Sequence, residues 1–329
     1  MSMAITSHAP LETLGPLVLS PEPQFKLERF DRKTTTVGSV VKKLKYHGGV
    51  VVRGFLTREE VEETEKTVLP ILESFAYPKP GDTTKRIARL PSVCPKLVEK
   101  VLTDELYLGV ADELLSIKHT SWLGDNFIES SATPIVMATT MFAVAPGTRI
   151  QELHRDDAIY YNKFDKIQPE EYQVGRDVGI SFFIAGRKTT EANGATRFVP
   201  GSHLGKHDEQ PDPRAAVPVE LEAGDAFFML SSCYHGAGEN STEDEERLVY
   251  SIFMQPPHVR QEENLYLAIP LEQIKKFSLP VQKRLGYDLA VPNLGWVDHT
   301  SPLKSILGYA DGDQRVIPGY NPTRSKGVE

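Results

Sequence analysis

The sequence predicts a mainly β domain with flanking helices, and three observations carry that prediction. Beyond residue 134, six or more short runs rich in β-branched and aromatic residues follow one another, among them residues 134–144, 178–185, 225–230 and 247–254. Tight turns separate these runs, with no regular alternation of strand and helix, which argues for a β-sandwich or barrel. Two histidine-bearing stretches, residues 151–157 and 232–238, sit at the ends of such runs, so the closing sheets can bring them together.

Composition bounds the rest. The chain of 329 residues is 40% hydrophobic, enough to bury a sizeable core. Its 37 basic and 45 acidic residues give a formal net charge of −8, which invites neither nucleic acid nor an anionic membrane surface. Two cysteines, Cys94 and Cys233, cannot form a disulfide framework. The N-terminus lacks the apolar core of a secretion signal, and no apolar run is long enough to span a bilayer. These features predict a soluble, reducing, cytoplasmic protein.

Taken in order, residues 1–35 mix prolines with isolated apolar residues and read as an extended N-terminal arm. Residues 39–46 predict a short helix with Ser39 as N-cap and Gly48-Gly49 as its stop. A buried strand follows at 50–55. Thr57-Arg58-Glu59-Glu60 has the form of a capping box, and Val61, Thr64, Val68, Leu72 and Phe75 recur at helical spacing behind it. Residues 77–81 read as a loop, and 95–119 as one or two helices broken near Thr103-Asp104. A long strand at 134–144 puts Met137, Thr139 and Met141 on one face. Residues 160–175 break every apolar period directly after the first histidine stretch and have the makings of a lid. A helix at 271–285 should be kinked or split by Pro280. The main domain thus spans 36–290, and 291–329 form a Gly- and Pro-rich tail that sequence does not place. The arm and tail favour a homodimer.

The chemistry concentrates in three places. In a strand, residues i and i+2 share a face, so His154 and Asp156 can offer an imidazole nitrogen and a carboxylate oxygen to one metal ion. His235 supplies a second imidazole. Two histidines and one carboxylate with three open positions suit Fe(II) in non-haem oxygenases. Arg247 opens a strand-like run, where a guanidinium wants an anionic fork, and a dicarboxylate such as 2-oxoglutarate would provide one.

Between these stretches lies Asn193-Gly194-Ala195-Thr196, followed by Pro200-Gly201-Ser202-His203. With Gln151-x-Leu153-His154-Arg155-Asp156-Asp157, His235 and Arg247 in this order, the chain resembles the phytanoyl-CoA hydroxylase-like Fe(II)/2-oxoglutarate dioxygenases. The form of the motifs is closest to the fungal branch that oxidises alkaloid, terpenoid and meroterpenoid intermediates. The resemblance covers roughly residues 38–290. It implies a double-stranded β-helix (a cupin-like jelly roll), His154, Asp156 and His235 as metal ligands, and Gln151, Thr196 and Arg247 as contacts to 2-oxoglutarate, with O2 as the second co-substrate. The expected reaction is oxidation of an apolar polycyclic natural-product intermediate by hydroxylation, desaturation, rearrangement or endoperoxidation. Alternatives are a hydroxylase of an acyl-CoA or small primary metabolite, or a non-catalytic metal-stabilised binding module of the same fold.

Each residue has a plainer rival. The histidines could be satisfied core groups, and Arg247 a surface partner of Glu243, Glu245 or Glu246. Thr84 and Arg86 are substrate-side contacts or a solvated loop. Asp157, Tyr160 and Tyr161 line the pocket or pack in the core. Met137, Met141 and Phe142 read as core, Cys233 as packing, Ser202 and His203 as loop-fixing groups, and Arg155 as a residue facing away from the metal.

Overall fold

The computed structural model describes residues 24–75 and 83–310. Two sheets face each other in a double-stranded β-helix. The larger has the order β1 (Glu28–Asp31), β2 (Gly49–Arg53), β10 (Ala226–Leu230), β7 (Ile180–Ala185), β12 (Arg247–Gln255), β6 (Ile135–Val144) and β3 (Thr84–Ala88). The smaller joins β11 (His235–Ala237), β8 (Thr196–Phe198) and β9 (Val217–Val219). A hairpin of β4 (Ile117–Leu123) and β5 (Asn126–Ala132) stands apart. Every strand pair in the two main sheets is antiparallel except β1 with β2.

Alternation along the large sheet separates a helix-covered face from a site face. Phe182, Phe228, Tyr250 and Ile252 lie on the first and are buried. There Tyr107 of α5 (Glu105–Leu115) stacks on Phe182 with centroids 4.3 Å apart, and its hydroxyl donates to the Ile252 carbonyl at 2.7 Å. The helices α1 (Val37–His47), α2 (Arg58–Ser74), α3 (Leu90–Val93) and α4 (Pro95–Val101) complete that layer. Met137 and Met141 are fully buried in the core, as their pattern predicts.

Several expectations hold and others need correction. Thr57 and Glu60 form the capping box of α2, and Asp104 caps α5 at the predicted break. The N-cap of α1 is Thr36 rather than Ser39; Ser39 is the third helical residue and its hydroxyl closes the box from inside. The helical reading of 95–119 ends too late, because Ile117 already starts β4. Glu28–Asp31 pairs with β2, so the sheet begins inside the stretch read as an arm. Residues 1–23, the loop at 77–81 and the end of the tail from 311 lie outside the described residues. The helix at 271–285 is split, into α7 (Leu271–Ile274) and α8 (Leu279–Arg284), preceded by α6 (Leu265–Ala268). Pro280 sits in the first turn of α8, where its missing N–H costs nothing. The tail contributes α9 (Pro302–Ser305). Among the described residues no helix is long and apolar enough to cross a membrane.

Candidate active site

The site forms where the small sheet's edge meets the chain after β6. His154 lies on no strand of its own but forms an antiparallel bridge with His235, the first residue of β11. Directly after it the chain turns into a 3-10 helix, Asp156–Tyr160. The shared face of His154 and Asp156 therefore comes from a strand-like bridge running into a turn, which corrects the picture of one continuous strand.

Asp156 Oδ1 is 3.6 Å from His154 Nε2 and 3.5 Å from His235 Nε2, and the three ligand atoms lie within 4.8 Å of one another. Each imidazole is oriented from behind. His154 Nδ1 is 3.1 Å from the Glu152 carbonyl, and His235 Nδ1 is 3.2 Å from that of Cys233. A carbonyl only accepts, so both Nδ1 atoms carry the proton, and both Nε2 atoms face Asp156 Oδ1. Burial holds the His235 imidazole below its ordinary range, with Asp156 opposing. That leaves a neutral ring, the form a metal requires. Two imidazole nitrogens and one carboxylate oxygen fit a divalent iron.

The cavity beside this triad, about 210 Å³, is built by cross-strand rows. Arg247, Val144 and Thr84 stand in register across β12, β6 and β3; Val249, Phe142 and Arg86 form the next row. Phe183 and Phe253 complete an aromatic wall. Phe142, read as core, is thus pocket lining, and Thr84 and Arg86 do reach the site.

Arg247 is 5% exposed, and its Nε has no hydrogen-bond partner. Burial alone pushes its guanidinium down to about 10, so it stays charged at neutral pH. Among the described residues it makes no ion pair. Glu246 pairs with Arg187 at 3.2 Å and Glu245 accepts from Asn193 at 2.9 Å, which removes the surface-pair reading for those two. A buried, uncompensated charge facing a cavity is costly unless an anion joins it. Gln151 and Thr196 also line the cavity. The Gln151 side-chain oxygen accepts from the Ala237 N–H at 3.0 Å, tying it to β11.

Other candidates fall outside. Asp157 is fully buried and does not line the cavity: burial pushes its carboxyl up to about 6, Asn162 donates to it at 2.8 Å, and Arg155 Nε lies 3.6 Å away. Arg155 faces away as predicted and covers the rings of Phe164 and Tyr234. Tyr160 donates to Gln255 at 3.1 Å, and Tyr161 is 88% exposed; neither lines the cavity. The 160–175 stretch docks on the 203–207 loop through the Ile167 N–H and the Phe164 carbonyl, with Arg176 just after it donating to the His203 and Gly205 carbonyls, and it contributes no residue to the lining of this cavity. Ser202 and His203 fix their loop as expected, Ser202 donating to the Val199 carbonyl and His203 Nε2 lying 3.0 Å from the Lys45 carbonyl. Cys233 is buried packing. Sequence reasoning misses Ser181, whose hydroxyl donates to Asp156 Oδ2 at 2.8 Å.

Residues 44–249 match the sequence profile described as phytanoyl-CoA dioxygenase (PhyH). Dioxygenase himG of Aspergillus japonicus is 36% identical over 307 residues, 89% of this chain and 95% of its own length. Dioxygenase peniF of Penicillium patulum is 34% identical over 298 residues, 90% and 96% of the two chains. Among solved structures, the non-heme alpha ketoglutarate dependent epimerase SnoN from nogalamycin biosynthesis aligns with a TM-score of 0.51 at 18% identity, over 70% of this chain and 86% of its own. The carbocyclase SnoK from the same biosynthesis gives 0.51 at 19%, over 72% and 93%. At such identities these two structures speak for the fold.

Proposed function

Because the chain belongs to the phytanoyl-CoA dioxygenase family and is an iron- and 2-oxoglutarate-dependent dioxygenase, we propose that His154, Asp156 and His235 hold the iron and that Arg247 anchors the far carboxylate of 2-oxoglutarate. The observation that carries the anchor is the buried guanidinium that has no counter-ion among the described residues, in the cavity that the triad borders. Gln151 and Thr196 supply polar contacts to the same co-substrate. Iron with 2-oxoglutarate supplies O2 activation and abstraction of a substrate hydrogen. The chain's own groups bind and orient: the Nδ1 protons fix the imidazoles, Arg247 fixes the oxoacid, and Phe142, Phe183 and Phe253 give the cavity an apolar wall.

The substrate is an apolar polycyclic natural-product intermediate such as a meroterpenoid, terpenoid or alkaloid, oxidised at a carbon that it presents past Phe142, Phe183, Val249 and Phe253. One observation supports this class: Phe142, Phe183, Val249 and Phe253 give the cavity an apolar wall, while its volume of about 210 Å³ is below that of a typical drug-sized pocket. It suits a small dicarboxylate, so a larger substrate would enter from the open side. The relatives at 36% and 34% identity are fungal dioxygenases, which agrees with such a role.

Anaerobic titration with Fe(II) and then 2-oxoglutarate tests the reading. A weak visible charge-transfer band, lost in His235→Ala and shifted to higher 2-oxoglutarate concentration in Arg247→Ala, is the expected result. Iron binding without the band in the wild type would remove the co-substrate assignment and favour a metal-stabilised binding module. Screening polycyclic acceptors for stimulated 2-oxoglutarate turnover then tests the substrate class.

A further inference from the structure

We infer that Ser181 is a positioning residue that makes Asp156 a one-oxygen ligand, and that Ser231 holds Ser181 in that role; the inference rests on the reading of His154, Asp156 and His235 as the iron ligands. The two carboxylate oxygens of Asp156 have separate surroundings. Oδ1 faces both imidazoles at 3.5 and 3.6 Å, whereas Oδ2 receives the Ser181 hydroxyl at 2.8 Å. Ser181 lies on β7, two residues from Phe183, so strand alternation aims its side chain into the same face that forms the cavity.

A hydroxyl has a single proton. Ser181 gives its proton to Asp156, so in its 3.2 Å contact with Ser231 Oγ the donor must be Ser231. The order is therefore Ser231 to Ser181 to Asp156. Both serines are fully buried, so water does not compete for these bonds. Ser231 is itself fixed: its N–H donates to the Gly179 carbonyl and its carbonyl accepts from the Asp157 N–H. A Cβ on Gly179 would come within 2.5 Å of Ser231 Oγ, so the absence of a side chain at 179 is what leaves room for the hydroxyl.

The consequence is chemical. A carboxylate free to rotate can place both oxygens on a metal and take up one of the positions that a chelating oxoacid and O2 need. With Oδ2 bound to Ser181, only Oδ1 is presented. Hydrogen-bonded partners of this kind typically change metal affinity about 10- to 100-fold.

The test is Co(II) titration of the full chain, followed by visible absorption, in the wild type, Ser181→Ala, Ser181→Thr and His235→Ala. Ser181→Ala should bind Co(II) about 10-fold or more weakly, with weaker d–d bands as the second carboxylate oxygen joins the metal. Ser181→Thr keeps the hydroxyl and should restore both. Affinity and spectrum unchanged in Ser181→Ala overturn the inference, as does equal loss in the threonine variant. Should Ser181→Ala not fold, Ser231→Ala carries the test, and wild-type binding there overturns the relay. If instead His235→Ala binds Co(II) like the wild type, the ligand assignment fails, an outcome distinct from failure of the serine pair.

Discussion

His154 and His235 are joined twice through their backbones: the N–H of each donates to the carbonyl of the other, both at 2.9 Å. Neither bond involves an imidazole, so the frame that brings the rings together survives loss of either ring. His154→Ala and His235→Ala should therefore abolish Fe(II) binding while the metal-free protein keeps its fold. The buried His235 side chain should cost more stability than the half-exposed His154, by about 1–2 kcal/mol. Metal titration beside urea unfolding of the metal-free variants checks both statements; retention of stoichiometric iron in either variant counts against the triad.

Arg247 sets stability against binding. Its guanidinium is pushed down to about 10 by burial, and the unfolded chain holds that proton to higher pH. The penalty on folding is thus fully present at neutral pH and relieved only as pH rises above about 10. Arg247→Met removes the buried charge and keeps a long side chain. Without 2-oxoglutarate the variant should be as stable as the wild type or more so, by up to roughly 3 kcal/mol. With 2-oxoglutarate the order reverses, because truncating one partner of a buried charge pair costs about 2–5 kcal/mol of binding. Thermal midpoints with and without iron and 2-oxoglutarate separate the two effects.

His203 gives the fold an acid limit. It is fully buried, and burial pushes its imidazole down to about 4 from the ordinary 6.5. Below 6.5 the unfolded chain takes up a proton that the native state resists, so stability is lost as pH falls from about 6.5 to 4. The loss is on the order of 3 kcal/mol. His203→Gln can still donate to the Lys45 carbonyl and has no such titration. Urea unfolding between pH 7 and 4 should show a shallower decline in the variant, and parallel curves would refute the assignment.

How much of this is legible in sequence follows from range. The capping box at Thr57 is a four-residue pattern, and α2 starts where it says. The cluster of His154, Asp156 and His235 is legible because its motifs follow one another with Thr196 and Arg247 in a recognisable order, although the spacing of His154 and Asp156 predicts a strand and the chain turns instead. Adjacent residues fare worse: Asp157 neighbours Asp156 yet points into the core, since the 3-10 turn rotates it away from the cavity. Ser181 is invisible for the opposite reason. Its partners, Asp156 and Ser231, are distant in sequence and meet only when β7 and β10 pair and the chain after β6 folds over them. No local period marks a serine for that role.

Gly236 shows how closely the triad depends on backbone contact. The segment 151–154 runs antiparallel to 235–237, tied by Gln151 N–H to the Ala237 carbonyl at 2.9 Å, by Ala237 N–H to the Gln151 side chain, and by the paired histidines. A Cβ at Gly236 would lie 2.8 Å from the Gln151 carbonyl oxygen and 3.0 Å from that of Glu152. Both obstacles are backbone, so neither can swing aside, and an alanine there must push the two segments apart. His154 would move with its segment, while Asp156 Oδ2 stays bound to Ser181 on β7. Displacement of a ligand by more than about 0.5 Å is enough to spoil such a site. Gly236→Ala should therefore weaken Zn(II) binding about 10-fold or more, with a smaller change in the unfolding midpoint of the metal-free protein, because the large sheet and its helix layer are untouched. Wild-type Zn(II) affinity in this variant would mean that the two segments have slack, and that the histidine bridge alone fixes the spacing of the ligands.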